Sequence, residues 1–96
     1  FLKGSGLANL KQALAFIFTI PGIPVIYYGT EQGFVETRAA MFAGGFESGE
    51  IDHFDSQSEL YRYISELATL RQEYPALRYG EVKVLKTDPN GPGIFV

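Results

Sequence analysis

Apolar residues recur along this 96-residue chain with two different periods, and the changes between them mark out its elements. Leu7, Leu10, Leu14, Ile17 and Phe18 fall on one side of a 3.6-residue repeat, with Asn9, Lys11 and Gln12 on the other and Ala8, Ala13 and Ala15 adding helix propensity. That spacing predicts a helix from Leu7 to Thr19, with Ser5 as its cap and Pro21-Gly22 as its stop. The period is then lost. Val25, Ile26, Tyr27 and Tyr28 form a continuous β-branched and aromatic run inside Gly22–Gly33, as expected for a parallel strand covered on both faces and ended by Gly29. A helix leading directly into such a strand is half of a βαβ unit, which places the chain in the α/β class.

Between Phe34 and Phe54 the pattern dissolves into a glycine-rich loop, with isolated aromatics at Phe42 and Phe46 and a short helical turn expected from Thr37 to Phe42. Ser56 and Glu59 have capping-box spacing, and Leu60, Ile64, Leu67 and Leu70 mark one face of a second helix that ends before Pro75. Gly80 to Leu85 alternates like a half-exposed strand, Asp88-Pro89-Asn90-Gly91 is turn chemistry, and a partner strand is expected from Gly93 to Val96. Antiparallel pairing there predicts two units, residues 1–79 and residues 80–96. The start at Phe1 and a strand running into Val96 lead us to expect a piece of a longer protein.

Composition narrows the function. A net charge of −3 with singly scattered basic residues argues against a nucleic-acid partner. The absence of cysteine removes thiol catalysis and thiolate metal sites and leaves the compartment open. The apolar run from Ala13 to Tyr28 is too short for a bilayer span and is broken by Pro21 and Pro24, so no membrane partner is expected.

Candidate chemistry gathers after the buried run, because α/β folds place ligands at the carboxyl ends of their strands. Glu31 and Gln32 stand there. Glu31 is either a site residue or a support that bonds loop amides or a nearby arginine. Arg38 offers several fixed donors suited to hydroxyls or carboxylates, and its alternative is an ion pair with Glu31 or Glu36. Asp52-His53-Phe54-Asp55 brackets the only histidine with carboxylates, but the spacing is unspecific for a metal, and Asp55 reads more simply as helix-entry chemistry. Tyr61, Tyr63 and Tyr74 could form a sugar platform, yet on a leucine-striped helix they read as packing residues. No nucleophile elbow, phosphate loop or dinucleotide fingerprint occurs.

The run Gly22-Ile23-Pro24-Val25-Ile26-Tyr27-Tyr28-Gly29-Thr30-Glu31-Gln32-Gly33 resembles the eighth-strand motif of the α-amylase family of glycoside hydrolases. Around it, Phe1-Leu2, the Leu/Ala-rich helix, Thr37-Arg38-Ala39-Ala40-Met41-Phe42, the helix from Ser58 and Pro75-Ala76-Leu77-Arg78-Tyr79-Gly80 follow in the family's order. The resemblance implies helix 7, strand 8 and helix 8 of a TIM (β/α)8 barrel, followed by the start of an antiparallel β-domain. It implies a retaining enzyme acting on α-1,4-glucosidic bonds of starch or maltooligosaccharides, whose catalytic carboxylates lie on strands before Phe1, so this chain would hold no catalytic residue and be inactive alone.

By the same resemblance Arg38 binds a glucose unit, with Glu36 as the nearest acidic neighbour because Phe34 and Val35 occupy the places where some members carry an acid. Glu31 is carried over as a weaker substrate-binding residue. The implied partners are an α-glucan substrate and the remainder of the parent barrel. No cofactor is implied in this chain, calcium is allowed in the parent, and a secreted or periplasmic location is favoured. Transglycosylation, or a non-catalytic relative serving as a binding or ancillary subunit, are the rival readings.

Overall fold

The computed structural model describes residues 2–36, 38–86, 89–91 and 94–95. In chain order its elements are helix α1 (Leu2–Thr19), a 3-10 turn (Thr30–Gln32), helix α2 (Glu59–Glu73), a short helix α3 (Ala76–Tyr79) and strands β1 (Val84–Lys86) and β2 (Ile94–Phe95). α1 is broken at Gly6, whose φ of 74° and ψ of 168° are not helical. Its regular part therefore begins at Leu7, where the periodicity puts it, with Gly6 rather than Ser5 in the half-in position.

Leu10, Leu14 and Phe18 recur every fourth residue on α1 and are buried against Leu60 and Leu67 of α2. Each such side chain contributes about 1.5–3 kcal/mol by leaving water. Ala15, Ile26, Tyr63 and Ile64 pack around this seam. α2 differs from expectation at both ends of its stripe. Its N-cap is Ser58, whose Oγ accepts from Tyr61 N at 3.2 Å, so the capping-box reading of Ser56 with Glu59 is corrected. At the other end Leu70 is 40 % exposed and Arg71 is turned inward instead.

Residues 23–27 take no regular secondary structure and Tyr28 opens the turn that follows, and no ladder hydrogen bond reaches them among the described residues. Ile26 rests on the helix seam, whereas Ile23, Val25 and Tyr27 are 90 %, 79 % and 67 % exposed. The run expected to be covered on both faces is covered on one. A parallel strand takes its backbone partners from strands on either side, and no described strand pairs with this run.

β1 and β2 pair antiparallel, with Val84 opposite Phe95 and Lys86 opposite Ile94 and an irregularity between the two pairs. The antiparallel pairing is as expected. Asp88, Gly93 and Val96 of the expected hairpin, and Thr37 of the expected 37–42 turn, lie outside the described residues; residues 38–42 form bends rather than a helical turn.

Candidate functional site

Gly29 makes the turn at the end of the apolar run. Its φ of 83° is left-handed, and a Cβ there would come within 2.8 Å of Phe34 Cβ and 3.3 Å of Met41 Sδ, so both conformation and space require glycine. Phe34 N donates to Gly29 O at 2.9 Å, closing the reversal around the 3-10 turn. The turn is tied to the start of α2, because Ser58 Oγ donates to Glu31 O at 2.8 Å and Asp55 N donates to Gln32 Oε1 at 3.2 Å. Gln32 thus serves the framework.

The three candidate side chains do not share one place. Glu31 and Arg38 line the same open cleft, about 370 Å³ in volume, together with Tyr28, Phe42, Phe46 and Phe54. Glu36 lines a smaller cleft of about 230 Å³ with Gln32, Phe34 and His53. A third cleft, about 480 Å³, runs between Ile26, Tyr28 and Glu31 on one side and Tyr61, Ile64 and Ala68 of α2 on the other, so Tyr28 and Glu31 stand on the ridge between two hollows.

Arg38 is held at a φ of 66°, a left-handed value uncommon for a residue with a side chain and one that recurs at functional positions. Among the described residues neither its guanidinium nor the Glu31 carboxylate has a hydrogen-bond or ion-pair partner, the one ion pair being Lys11 with Glu59 at 2.5 Å. The structural alternative for Arg38, a salt bridge to Glu31 or Glu36, is therefore not formed there. Tyr28 donates its phenol proton to Ala39 O at 3.2 Å. Desolvation, then the hydrogen bond and charge of the Tyr27 phenol, push the Tyr28 phenol above its ordinary range, against the opposing pull of Arg38. The phenol stays neutral and available as a hydrogen-bonding group.

The other sequence candidates are occupied locally. Asp52 Oδ1 accepts from Phe54 N at 3.0 Å, Asp55 Oδ1 accepts from Gln57 N at 2.8 Å, and the His53 ring packs tilted against Phe34 with centroids 4.8 Å apart. Among the described residues no three His, Asp or Glu side chains converge into a group that could hold a metal ion. Tyr63 donates to Lys11 O at 3.2 Å and packs on the seam, Tyr61 lines the cleft of about 480 Å³, and Tyr74 caps α2.

Arg71 was not singled out by the sequence reading. It is 8 % exposed and donates to carbonyls of Phe18, Ile20, Leu77 and Gly22. The signal was available: Leu60, Ile64 and Leu67 set a stripe whose next place is Arg71, a charge where the period calls for an apolar residue.

No family model matches the chain, and no solved structure matches it. Curated relatives do. It is 40% identical over 74 residues to a Beta/alpha-amylase of Paenibacillus polymyxa, a match covering 75% of this chain and 6% of that protein. It is 37% identical over 82 residues to a Cyclomaltodextrin glucanotransferase of Thermoanaerobacterium thermosulfurigenes, covering 83% of this chain and 11% of the relative. An Alpha-amylase of Niallia circulans is 38% identical over 84 residues, 82% of this chain and 14% of the relative. Relatives of this identity over most of its length, all named for α-glucan chemistry, place the chain in the α-amylase family of glycoside hydrolases. It spans about a tenth of the length of the relatives it matches, from 6% to 14%. Among the described residues no helix is long and apolar enough to cross a membrane.

Proposed function

We propose that this chain is the closing part of the (β/α)8 barrel of a retaining α-glycosidase, with α1 as helix 7, residues 23–28 as strand 8 and α2 as helix 8. The hairpin of β1 and β2 then opens an antiparallel β-domain from residue 80. The observation that carries the reading is that the relatives named as amylases and glucanotransferases align over about four-fifths of the chain. Its physical support is a run, residues 23–28, whose Ile26 is backed by two helices while Ile23, Val25 and Tyr27 are bare, ending in a turn that presents Glu31 and leads to Arg38.

In this reading the substrate is an α-1,4-linked glucan. An acid on another strand protonates the leaving oxygen while a carboxylate forms the glycosyl-enzyme, which water then hydrolyses. This chain binds rather than cleaves. Arg38 donates to the hydroxyls of a bound glucose unit, with the neutral Tyr28 phenol and Glu31 beside it, and Glu36 stays outside that cleft. A secreted or periplasmic location suits a polymeric substrate.

The test is Arg38→Ala in the full-length protein. Loss of a charged hydrogen bond is expected to lower kcat/KM on maltooligosaccharides by about 1 to 3 kcal/mol, roughly 5- to 150-fold. Unchanged kcat/KM and sugar affinity would remove Arg38 from the site, and absence of any α-glucan turnover would remove the enzyme class. The glucanotransferase relatives favour a second reading, in which a sugar hydroxyl replaces water at the glycosyl-enzyme. Longer or cyclic products from maltoheptaose would establish it, and shorter products alone would leave hydrolysis.

A further inference from the structure

The chain has two asparagines, Asn9 and Asn90, in opposite backbone settings. Asn90 is followed by Gly91, and Pro89, Asn90 and Gly91 lie between β1 and β2 in a turn and bend. All three are exposed, and they stand outside the paired positions, Val84 with Phe95 and Lys86 with Ile94. Asn9 is exposed as well, but it lies inside α1 and is followed by Leu10, which is buried in the seam with α2.

The side-chain amide of an asparagine is open to attack by the backbone nitrogen of the next residue, because joining that nitrogen to Cγ closes a five-membered ring. The N–Cγ bond forms, the Cγ–Nδ2 bond breaks, and the side-chain nitrogen leaves as ammonia with the proton given up by the attacking nitrogen. Water then adds to either carbonyl of the cyclic imide and opens it, giving aspartate or isoaspartate. Two conditions govern the first step. The attacking nitrogen must be uncrowded, which glycine provides because it has no Cβ, and the backbone must be free to bring that nitrogen onto Cγ. A turn outside the strand pairing meets the second condition, whereas a helix must first open locally. Asn-Gly is also ordinary turn chemistry, so the hairpin accounts for the pair's presence and the same features account for its reactivity.

We propose that Asn90 is a site of spontaneous deamidation, at which Gly91 N displaces the side-chain amide within the turn between β1 and β2. Either product carries one more negative charge, two residues after Asp88, so the chain's −3 becomes −4. In the isoaspartate form the main chain runs through Cβ and Cγ and the turn is lengthened by one carbon. The ladder beside it is short and already irregular between its two pairs, so it offers little resistance to that change. Nothing in this chemistry depends on the α-glucan reading.

The experiment incubates the full-length protein at mildly alkaline pH, where the attacking nitrogen loses its proton more readily, and follows it by isoelectric focusing, peptide mass mapping and labelling with an isoaspartyl O-methyltransferase. The Asn90 peptide is expected to gain the mass of an amide-to-acid change and to take up label, as the intact protein shifts by one negative charge. The Asn9 peptide should convert at least about tenfold more slowly, as for a site that must first leave its helix. Gly91→Ala should slow conversion by placing a Cβ beside the attacking nitrogen. Asn90→Gln, which would have to close a larger ring, should remove the Asn90-dependent shift even if the alanine variant fails to fold, and Asn90→Asp should focus with the converted protein. An Asn90 amide that lasts as long as that of Asn9 overturns the site, as does an Asn90→Gln protein that shifts like the unsubstituted one. Conversion only after unfolding in urea also overturns it, since the folded protein would then shield the turn. Each readout is taken without sugar, so it stands whether or not the protein turns over an α-glucan.

Discussion

Arg71 brings a permanent charge into the seam between helices, with no ion-pair partner among the described residues. Its Nη1 reaches Phe18 O at 2.7 Å, Ile20 O at 3.1 Å and Leu77 O at 2.6 Å, three acceptors for two protons, while Nη2 donates to Gly22 O. The acceptors at Phe18 and Ile20 belong to the end of α1, where carbonyls lack helical partners and the helix dipole favours a cation. One guanidinium thereby fixes where α1 stops, how the chain enters residues 23–28 and where α3 lies. Arg71→Met should leave several of these carbonyls unpaired and cost about 3 kcal/mol or more in urea denaturation of the full-length protein. Arg71→Lys should recover less than half of that, because a point charge cannot reproduce the planar fork. A Met variant within about 0.5 kcal/mol of the parent would sink the clamp.

α2 is where two candidate caps can be told apart. Ser56 has the spacing to Glu59, but Ser58 has the bond to Tyr61 N and a second one to Glu31 O at 2.8 Å. Ser58→Ala is therefore expected to cost about 1 to 2 kcal/mol, one part cap and one part tie to the 3-10 turn. Ser56→Ala should stay within about 0.5 kcal/mol. Equal losses in a denaturation series would show that the cap was misassigned. The hairpin of β1 and β2 shows the same limit of pattern: the alternation from Gly80 to Leu85 announced a strand, yet only Val84–Lys86 is paired, and all three residues are exposed.

As a whole the chain is loose for its size. Its radius of gyration is 16.4 Å, against about 12.5 Å for a compact domain of this length. Ile23, Val25 and Tyr27 stand bare on this chain, and an unpaired apolar edge invites another strand. Alone, the 96-residue chain should bind a hydrophobic dye, associate in sedimentation and release no sugar from maltoheptaose. Val25→Lys should suppress association without loss of helicity, because Val25 touches no core and a charged edge resists pairing. A monomer that ignores the dye, or turnover by the chain alone, would contradict this view.

The sequence by itself determined the two long helices, the turn at Gly29 and the family resemblance, because these depend on periodicity, glycine chemistry and a contiguous motif, all properties of near neighbours in the chain. It also selected Glu31 and Arg38. Only tertiary structure decided that these two share a cleft with three phenylalanines while Glu36 falls outside it, that Ser58 rather than Ser56 caps α2, and that Arg71 is buried. Each of those outcomes depends on which distant backbone groups lie within bonding reach. Arg71 meets carbonyls 49 to 53 residues away, a pairing that no local pattern encodes.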